Sequence, residues 1–407
     1  MAGCHRPASM REPNTPARKQ GEYPTMRRTA TFLAAFAAAA MAGGSAGHAG
    51  EVKLPDTLVT TAYNTGTTGY SQMIAVGGML KKRYNVNLRV LPGKNDVARL
   101  APVKAGKAQF TATGSDSVYA QEAVFAFGGE KWGPSPVRLL MLNRGKGCTT
   151  FAVANDMGVK TMADLKGKRI GWVRGSPALQ KAVEALLGFA DLTVNDVQLV
   201  EVGGWAASIN GIIDGDIDAS ITSSSSTFMK KMEASPRGVY HPPLPHSDSE
   251  GWARVQKVVP WYVQGMCTHG PGVPGGSQES IASIYPILIG TTAVSDEIAY
   301  SLTKAMVTHF DDYKDGAPAA DGWALDRQLY NFYLPMHPGS IAFYKEAGTW
   351  NAEGQANQED KLRRQEVLKT AWEAHVASGP ADFVKEWQAS RAKALSDAGF
   401  DPVFTSW

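Results

Sequence analysis

Four short stretches gather glycines and hydroxyl side chains: Asn64-Thr65-Gly66-Thr67-Thr68-Gly69-Tyr70, Thr113-Gly114-Ser115-Asp116-Ser117, Arg174-Gly175-Ser176-Pro177 and Thr222-Ser223-Ser224-Ser225-Ser226-Thr227. Glycine lets backbone approach a ligand closely, and a hydroxyl both donates and accepts hydrogen bonds. Where such loops open helices, free N–H groups and the positive end of the helix dipole favour an anion. Arg174 adds a cation suited to a carboxylate. Asp116 adds a carboxylate suited to an ammonium group or to hydroxyls. Any one stretch reads equally well as a turn and helix cap, but together they point to a cleft closing on a small polar ligand. The candidate ligand-binding residues are Asn64, Thr65, Thr67, Thr68, Tyr70, Ser115, Asp116, Arg174, Ser176, Thr222 and Ser223. Trp205 could wall an apolar part of the ligand, although core packing is its commoner use.

The elements around these loops alternate. Thr57–Ala62 reads as a strand, and residues 70–84 as a helix with Met73, Ile74, Val76, Met79 and Leu80 at helical spacing. Strands follow at 87–91 and 110–112, with helices at 96–105 and 115–126. The rhythm resumes with strands at 149–154, 169–173, 197–202 and 218–222 and helices at 176–187 and 206–213. Thr161 and Asp164 are spaced for a capping box. Repeated strand–loop–helix units predict an α/β fold of two mostly parallel sheets flanked by helices, with ligands beyond the carboxyl ends of the strands. Residues 50–149 with about 278–350 are read as the first domain, 150–265 as the second, 241–277 as an irregular connection, and 351–407 as a helical extension. Ser295 caps a helix to about 313, and 321–347 reads as helical with a break at Pro335–Pro338.

Met26-Arg27-Arg28, a short apolar stretch and small residues up to Ala49 have the layout of a secretory signal. Residues 26–49 are therefore read as a signal peptide for export to the periplasm, and 1–25 as a mis-called start or disordered leader. Removing residues 1–49 takes away six basic and two acidic side chains, turning a formal charge of +3 into −1. Neither value is an electrostatic footprint for nucleic acid. Three cysteines are too few for a disulfide-dense miniprotein. Cys148 and Cys267 could pair after export, but spacing alone does not decide it.

Other chemistries leave weak traces. Gly43-Gly44-Ser45-Ala46-Gly47 matches G-x-S-x-G but falls in the signal segment, not on a strand-to-helix turn. No P-loop pattern is present. His241, His246, Cys267 and His269 could ligate zinc, yet their spacing fits no tight motif. No catalytic residue, metal or cofactor is expected.

The order of motifs resembles the TAXI family of TRAP-transporter solute-binding proteins over about residues 56–348. The resemblance rests on the opening loop Asn64–Tyr70 with Ser71–Leu80, and on Ala105–Phe110 leading to Gly114-Ser115-Asp116. Thr161–Arg169 (a T-x-x-D-L-K-G-K-R run), Gly175-Ser176 and Asp214–Ala219 (D-G-x-I-D-A) continue it. The later pieces are Val294–Glu297 with Tyr300 and Lys304, then His337-Pro338-Gly339-Ser340 with Tyr344–Gly348. It implies a two-domain periplasmic-binding-protein fold. It also implies a monomeric receptor that delivers a small organic anion or amino acid, such as glutamate or a dicarboxylate, to a TRAP membrane permease. The opening loop carries Thr67 and Thr68 where the family has more glycine. A binding protein for an ABC-type importer would share the fold and differ in partner, and a periplasmic hydrolase is the rival of another class.

Overall fold

The computed structural model describes residues 50–268 and 270–407. The leader and signal-peptide readings, the Gly43–Gly47 match and His269 lie outside the described residues.

The first sheet is built from β1 (Thr57–Tyr63), β2 (Asn87–Gly93), β3 (Phe110–Thr113) and β4 (Val137–Leu142), interleaved with α1 (Thr68–Tyr84), α2 (Asp96–Lys104) and α3 (Asp116–Glu122). β1 is rich in β-branched and aromatic residues and nearly all buried, as a central strand requires. Helix α1 follows from the spacing of its apolar residues. Thr67 caps its start, and Lys81, Lys82 and Arg83 crowd its last turn, where the helix dipole favours cations.

The second sheet takes β5 (Cys148–Val153), β6 (Arg169–Val173), β7 (Gln198–Val202), β8 (Ala219–Ser223), β9 (Gln264–Cys267) and β10 (Gln278–Ala282). Its helices are α4 (Pro177–Phe189), α5 (Trp205–Asp214), α6 (Thr227–Glu233) and α7 (Ser249–Val258). The chain then returns to the first sheet as β11 (Ile287–Thr291) and ends in helices α8 (Asp296–Thr308), α9 (Pro338–Glu346), α10 (Ala352–Ser378) and α11 (Phe383–Asp397). The sheet orders are β2-β1-β3-β11-β4 and β7-β6-β8-β5-β10-β9.

Both sheets are mixed, not mostly parallel. β1, β2 and β3 pair in parallel, whereas β11 runs antiparallel to both neighbours. In the second sheet β6 is parallel to β7 and β8, while β5 is antiparallel to both β8 and β10, and β9 is antiparallel to β10. The cause is connectivity. Residues 143–147 and 283–286 carry the chain between the sheets, so a strand that has just crossed enters from the loop end of its sheet and opposes the strand beside it.

Residues 241–277, expected to be irregular, hold α7 and β9. Asp248 caps α7 through Gly251 N at 2.8 Å. Arg254 then donates to the last carbonyls of α4, at Gly188 (2.7 Å) and Phe189 (2.8 Å), which fixes one helix against the other. The stretch 321–347, expected to be mostly helical, has only short 3₁₀ turns at Ala320–Trp323 and Leu325–Arg327 before α9. Fully buried Trp323 anchors it by donating to Gln72 Oε1 at 2.9 Å.

Cys148 and Cys267 form a disulfide, tying the start of β5 to the end of β9 across 119 residues. Closing so long a loop stabilises mainly by restricting the unfolded chain, with a typical effect of about 2–4 kcal/mol. The Cys148→Ser/Cys267→Ser double variant is expected to unfold at lower urea by that amount. Equal midpoints for the variant and the oxidised wild type would remove the bond from the stability account. Among the described residues, no helix is long and apolar enough to cross a membrane.

Candidate functional site

The cleft lies where the loops following β1, β3 and β8 meet the start of α4, and opens to solvent.

From the first loop, Thr67 and Thr68 line the cleft and are buried. Thr68 Oγ1 lies 3.3 Å from Ser225 Oγ of the second lobe. Asn64 does not line the cavity; its Oδ1 accepts from Ala206 N at 3.4 Å, joining the lobes. Thr65 is exposed, and Tyr70 packs against the hydrophobic core. From the second loop, Ser115 and Asp116 line the cleft. Thr222 and Ser223 line it from the second lobe, with Ser223 Oγ 2.8 Å from Ser225 Oγ.

Asp116 is fully buried and already engaged. It accepts from Thr113 Oγ1 (2.7 Å), Gly114 N (2.9 Å) and Arg99 Nη2 (2.6 Å). Its carboxylate therefore holds an arginine, where the sequence suggested a ligand's ammonium or hydroxyls. Arg99, from α2, also lines the cleft and was not singled out from the sequence. Its guanidinium sits 3.7 Å over the Tyr63 ring, and Nη1 donates to the Ala112 carbonyl at 3.3 Å. A lone arginine in an amphipathic helix reads as a solvated residue, and only the fold buries it.

The third loop is used differently from its sequence reading. Arg174 is exposed and does not line the cavity. Its carbonyl accepts from Asn95 Nδ2 at 2.9 Å. Ser176 is buried, and its hydroxyl donates to Asp96 Oδ1 at 3.2 Å and accepts from Asp96 N at 3.1 Å. Asp96 Oδ2 accepts from Ala178 N at 2.8 Å. One free N–H at the start of α4, that of Ala178, thus meets the chain's own carboxylate, sent from the first lobe. Tyr63 donates its hydroxyl to the same carboxylate. Backbone bonds from Val97 N to the Gly175 carbonyl (3.1 Å) and from Trp205 N to the Lys94 carbonyl (3.0 Å) complete this junction. Burial and the neighbouring Asp116 push the Asp96 carboxyl up to about 7, against the pull of Arg99 and its hydrogen bonds.

The remaining wall is largely apolar, with Leu179, Ala182, Trp205, Ile221, Trp261, Ile284 and Phe332 among its residues. Trp205 is both wall and core: its Nε1 donates to the Ile221 carbonyl at 2.7 Å. Trp261, from the segment read as a connection, donates to Ser115 Oγ at 2.8 Å and so bridges the lobes. Its ring packs against Tyr119, Tyr333 and, from the C-terminal tail, Phe404.

Tyr285 also lines the cleft, wedged between two loop glycines. A Cβ on Gly69 would lie 3.2 Å from its hydroxyl, and one on Gly114 3.3 Å from its ring. Those glycines are what let the tyrosine sit between the starts of α1 and α3. Burial pushes its hydroxyl up to about 12, against the pull of Arg99.

Two members of the histidine–cysteine cluster weighed for zinc are engaged elsewhere. Cys267 is in the disulfide, and buried His241 directs both ring nitrogens at backbone carbonyls, of Phe151 (2.8 Å) and Pro271 (2.9 Å). Among the described residues no three His, Cys, Asp or Glu side chains are placed to hold a metal ion.

Two α/β lobes, joined by strand crossings and enclosing a cleft at their loop ends, make this a periplasmic-binding-protein fold. The chain belongs to the NMT1-like family, whose model matches residues 60–348. Solved structures similar to it include the alkanesulfonate-binding protein SsuA from Xanthomonas axonopodis pv. citri bound to MOPS (15% identity, 75% of this chain and 84% of that one, TM-score 0.41). An ancestral arginine-binding protein bound to arginine is similar at 14% identity, over 66% of this chain and 96% of that one, with a TM-score of 0.40. The amino acid ABC transporter substrate-binding protein AbpA from Streptococcus pneumoniae, bound to L-arginine, is similar at 13% identity over 76% and 96%, with a TM-score of 0.36. No curated protein matches the chain.

Proposed function

We propose that this chain is the extracytoplasmic solute receptor of a TRAP-type secondary transporter of the TAXI kind. It captures a small organic anion or amino acid and hands it to the membrane permease. The observation that carries the reading is the cleft itself: hydroxyls from both lobes and apolar side chains surround one space between them. The family match and the motif series from Asn64–Tyr70 to His337–Gly348 support it. Residues 143–147 and 283–286, which carry the chain between sheets, are the hinge about which the two domains close. The receptor acts as a periplasmic monomer, and the hydroxyls of Thr67, Thr68, Ser115, Thr222 and Ser223 contact the solute.

The test is transport. The purified chain is added to proteoliposomes holding its permease, with the solute identified by mass spectrometry of material released on unfolding. Uptake is expected to require the chain and an ion gradient, without ATP. Uptake that needs ATP would assign the receptor to an ABC importer. A chain that releases no organic solute and turns over an ester would overturn the receptor reading.

A further inference from the structure

The receptor reading leaves the solute's shape and charge open, and the cleft constrains both. Among the described residues that line it only Arg99 and Asp116 are charged, and they pair with one another at 2.6 Å. Arg174 lies outside, and the start of α4 is held by Asp96. A ligand with two separated charges would therefore lose water at both and meet a compensating group at one at most, and burying an unpaired charge is costly.

One end of the cleft can still receive an acceptor. Thr67 and Thr68 face it at the start of the 17-residue helix α1, whose dipole favours a negative group. Beside them stands Tyr285, whose buried hydroxyl finds no acceptor for its proton among the described residues. Arg99, only 1% exposed, likewise has its Nε without a partner. Each such buried, unpaired donor carries a desolvation penalty that an incoming oxygen would relieve. Away from this end the walls are Leu179, Ile221, Trp261, Ile284 and Phe332.

We infer that the solute is a monocarboxylate with an apolar body about the size of a ring, its carboxylate toward Thr67, Thr68 and Tyr285 and its body against Trp261, Ile221 and Phe332. Dicarboxylates and glutamate are excluded. This inference rests on the receptor reading and narrows it.

The experiment is calorimetric titration of the dialysed chain with phenylacetate, 4-methylpentanoate, succinate, L-glutamate and phenylacetamide. The two apolar monocarboxylates are expected to bind at least about 100-fold more tightly than succinate or glutamate, a gap of about 2.7 kcal/mol. Phenylacetamide is expected to bind more weakly than phenylacetate. Tyr285→Phe is expected to weaken phenylacetate about tenfold, as loss of one hydrogen bond to a charged group implies. If that variant does not fold, Phe332→Leu, which reshapes the apolar end, is expected to reduce affinity for phenylacetate while leaving succinate unbound. Preferential binding of succinate or glutamate would overturn the inference and leave the receptor standing, as would an amide that binds as tightly as the acid. Absence of binding by all five overturns the inference. Only if no organic solute is released from the purified chain does the receptor reading fall with it.

Discussion

Replacing Glu122 by alanine is expected to lower the stability of the chain by about 3–5 kcal/mol, the usual result of breaking a buried ion pair by removing one partner. Glu122 ends α3 and meets two arginines from the C-terminal helices. Arg364 donates Nε and Nη2 to it at 2.7 and 2.8 Å, and Arg391 grips both its carboxylate and, at 2.9 Å, its backbone carbonyl. Without the carboxylate, two buried guanidinium groups face each other. Arg391 also holds the Phe404 carbonyl at 2.6 Å, and Trp387 donates to the Ala123 carbonyl at 2.7 Å, so the damage reaches the whole C-terminal pair. It also reaches the cleft, because Phe404 packs on Trp261. Burial alone would push the Glu122 carboxyl up, but Arg391 and Arg364 outweigh it and hold its pKa below the ordinary value. The sign follows: a depressed carboxylate contributes stability above its unfolded pKa and loses it as pH falls through the folded value. The variant should therefore be most destabilised relative to wild type at neutral pH, with the gap closing in acid. Urea unfolding at two pH values checks this, and limited trypsin digestion should cut the variant within 351–407. A midpoint within about 0.5 kcal/mol of wild type, the size of an ordinary surface change, would mean that the triad contributes little.

These contacts mark the limit of what could be read along the chain. The alternation of strands and helices was legible because side-chain periodicity is local, and so was the start of α8, where Ser295 caps. The loops of Thr67, Ser115 and Thr222 reach the cleft for the same reason, since a parallel strand delivers its following loop to one edge of the sheet. Strand direction was not legible. Whether β11 runs with or against β3 depends on where the chain crosses between lobes, and no residue spacing encodes that. Val137–Leu142, apolar at every position but Arg138, has neither a period of two nor a helical one, so periodicity leaves such a strand unmarked. The charge pairings were hidden for a different reason. Glu122 and Arg391 are 269 residues apart, and Asp96 reaches Ser176 across 80. The most visible cation in a loop, Arg174, stays in solvent, while Arg99, on an ordinary helix face, is the one drawn inside.

Replacing Asp116 by alanine is expected to abolish solute binding and to cost a further case of about 3–5 kcal/mol, because Arg99 is left buried without its closest counter-charge. Asp116 receives three hydrogen bonds at once, from Thr113, Gly114 and Arg99, so its loss also loosens the loop that starts α3. Asp96, 3.5 Å from the same guanidinium, is the only other carboxylate in contact with Arg99 among the described residues, and it is committed to Ser176 and Ala178. The double variant Asp116→Ala/Arg99→Met separates two accounts of the pair. If the pair serves mainly to neutralise a buried charge, removing both partners should recover most of the lost stability, since an apolar side chain of similar volume often replaces a buried ion pair at little cost. Solute binding should not recover, because the wall that positions Tyr285 and the start of α1 depends on Arg99 being there. Urea unfolding and calorimetric titration on the wild type and both variants decide it. A double variant that regains binding along with stability would show that the pair only holds the fold and that the carboxylate end of the cleft lies elsewhere. A single variant as stable as wild type would show that Asp96 alone satisfies Arg99, and the neutral charge balance on which the choice of a singly charged solute depends would then have to be redrawn around Asp96.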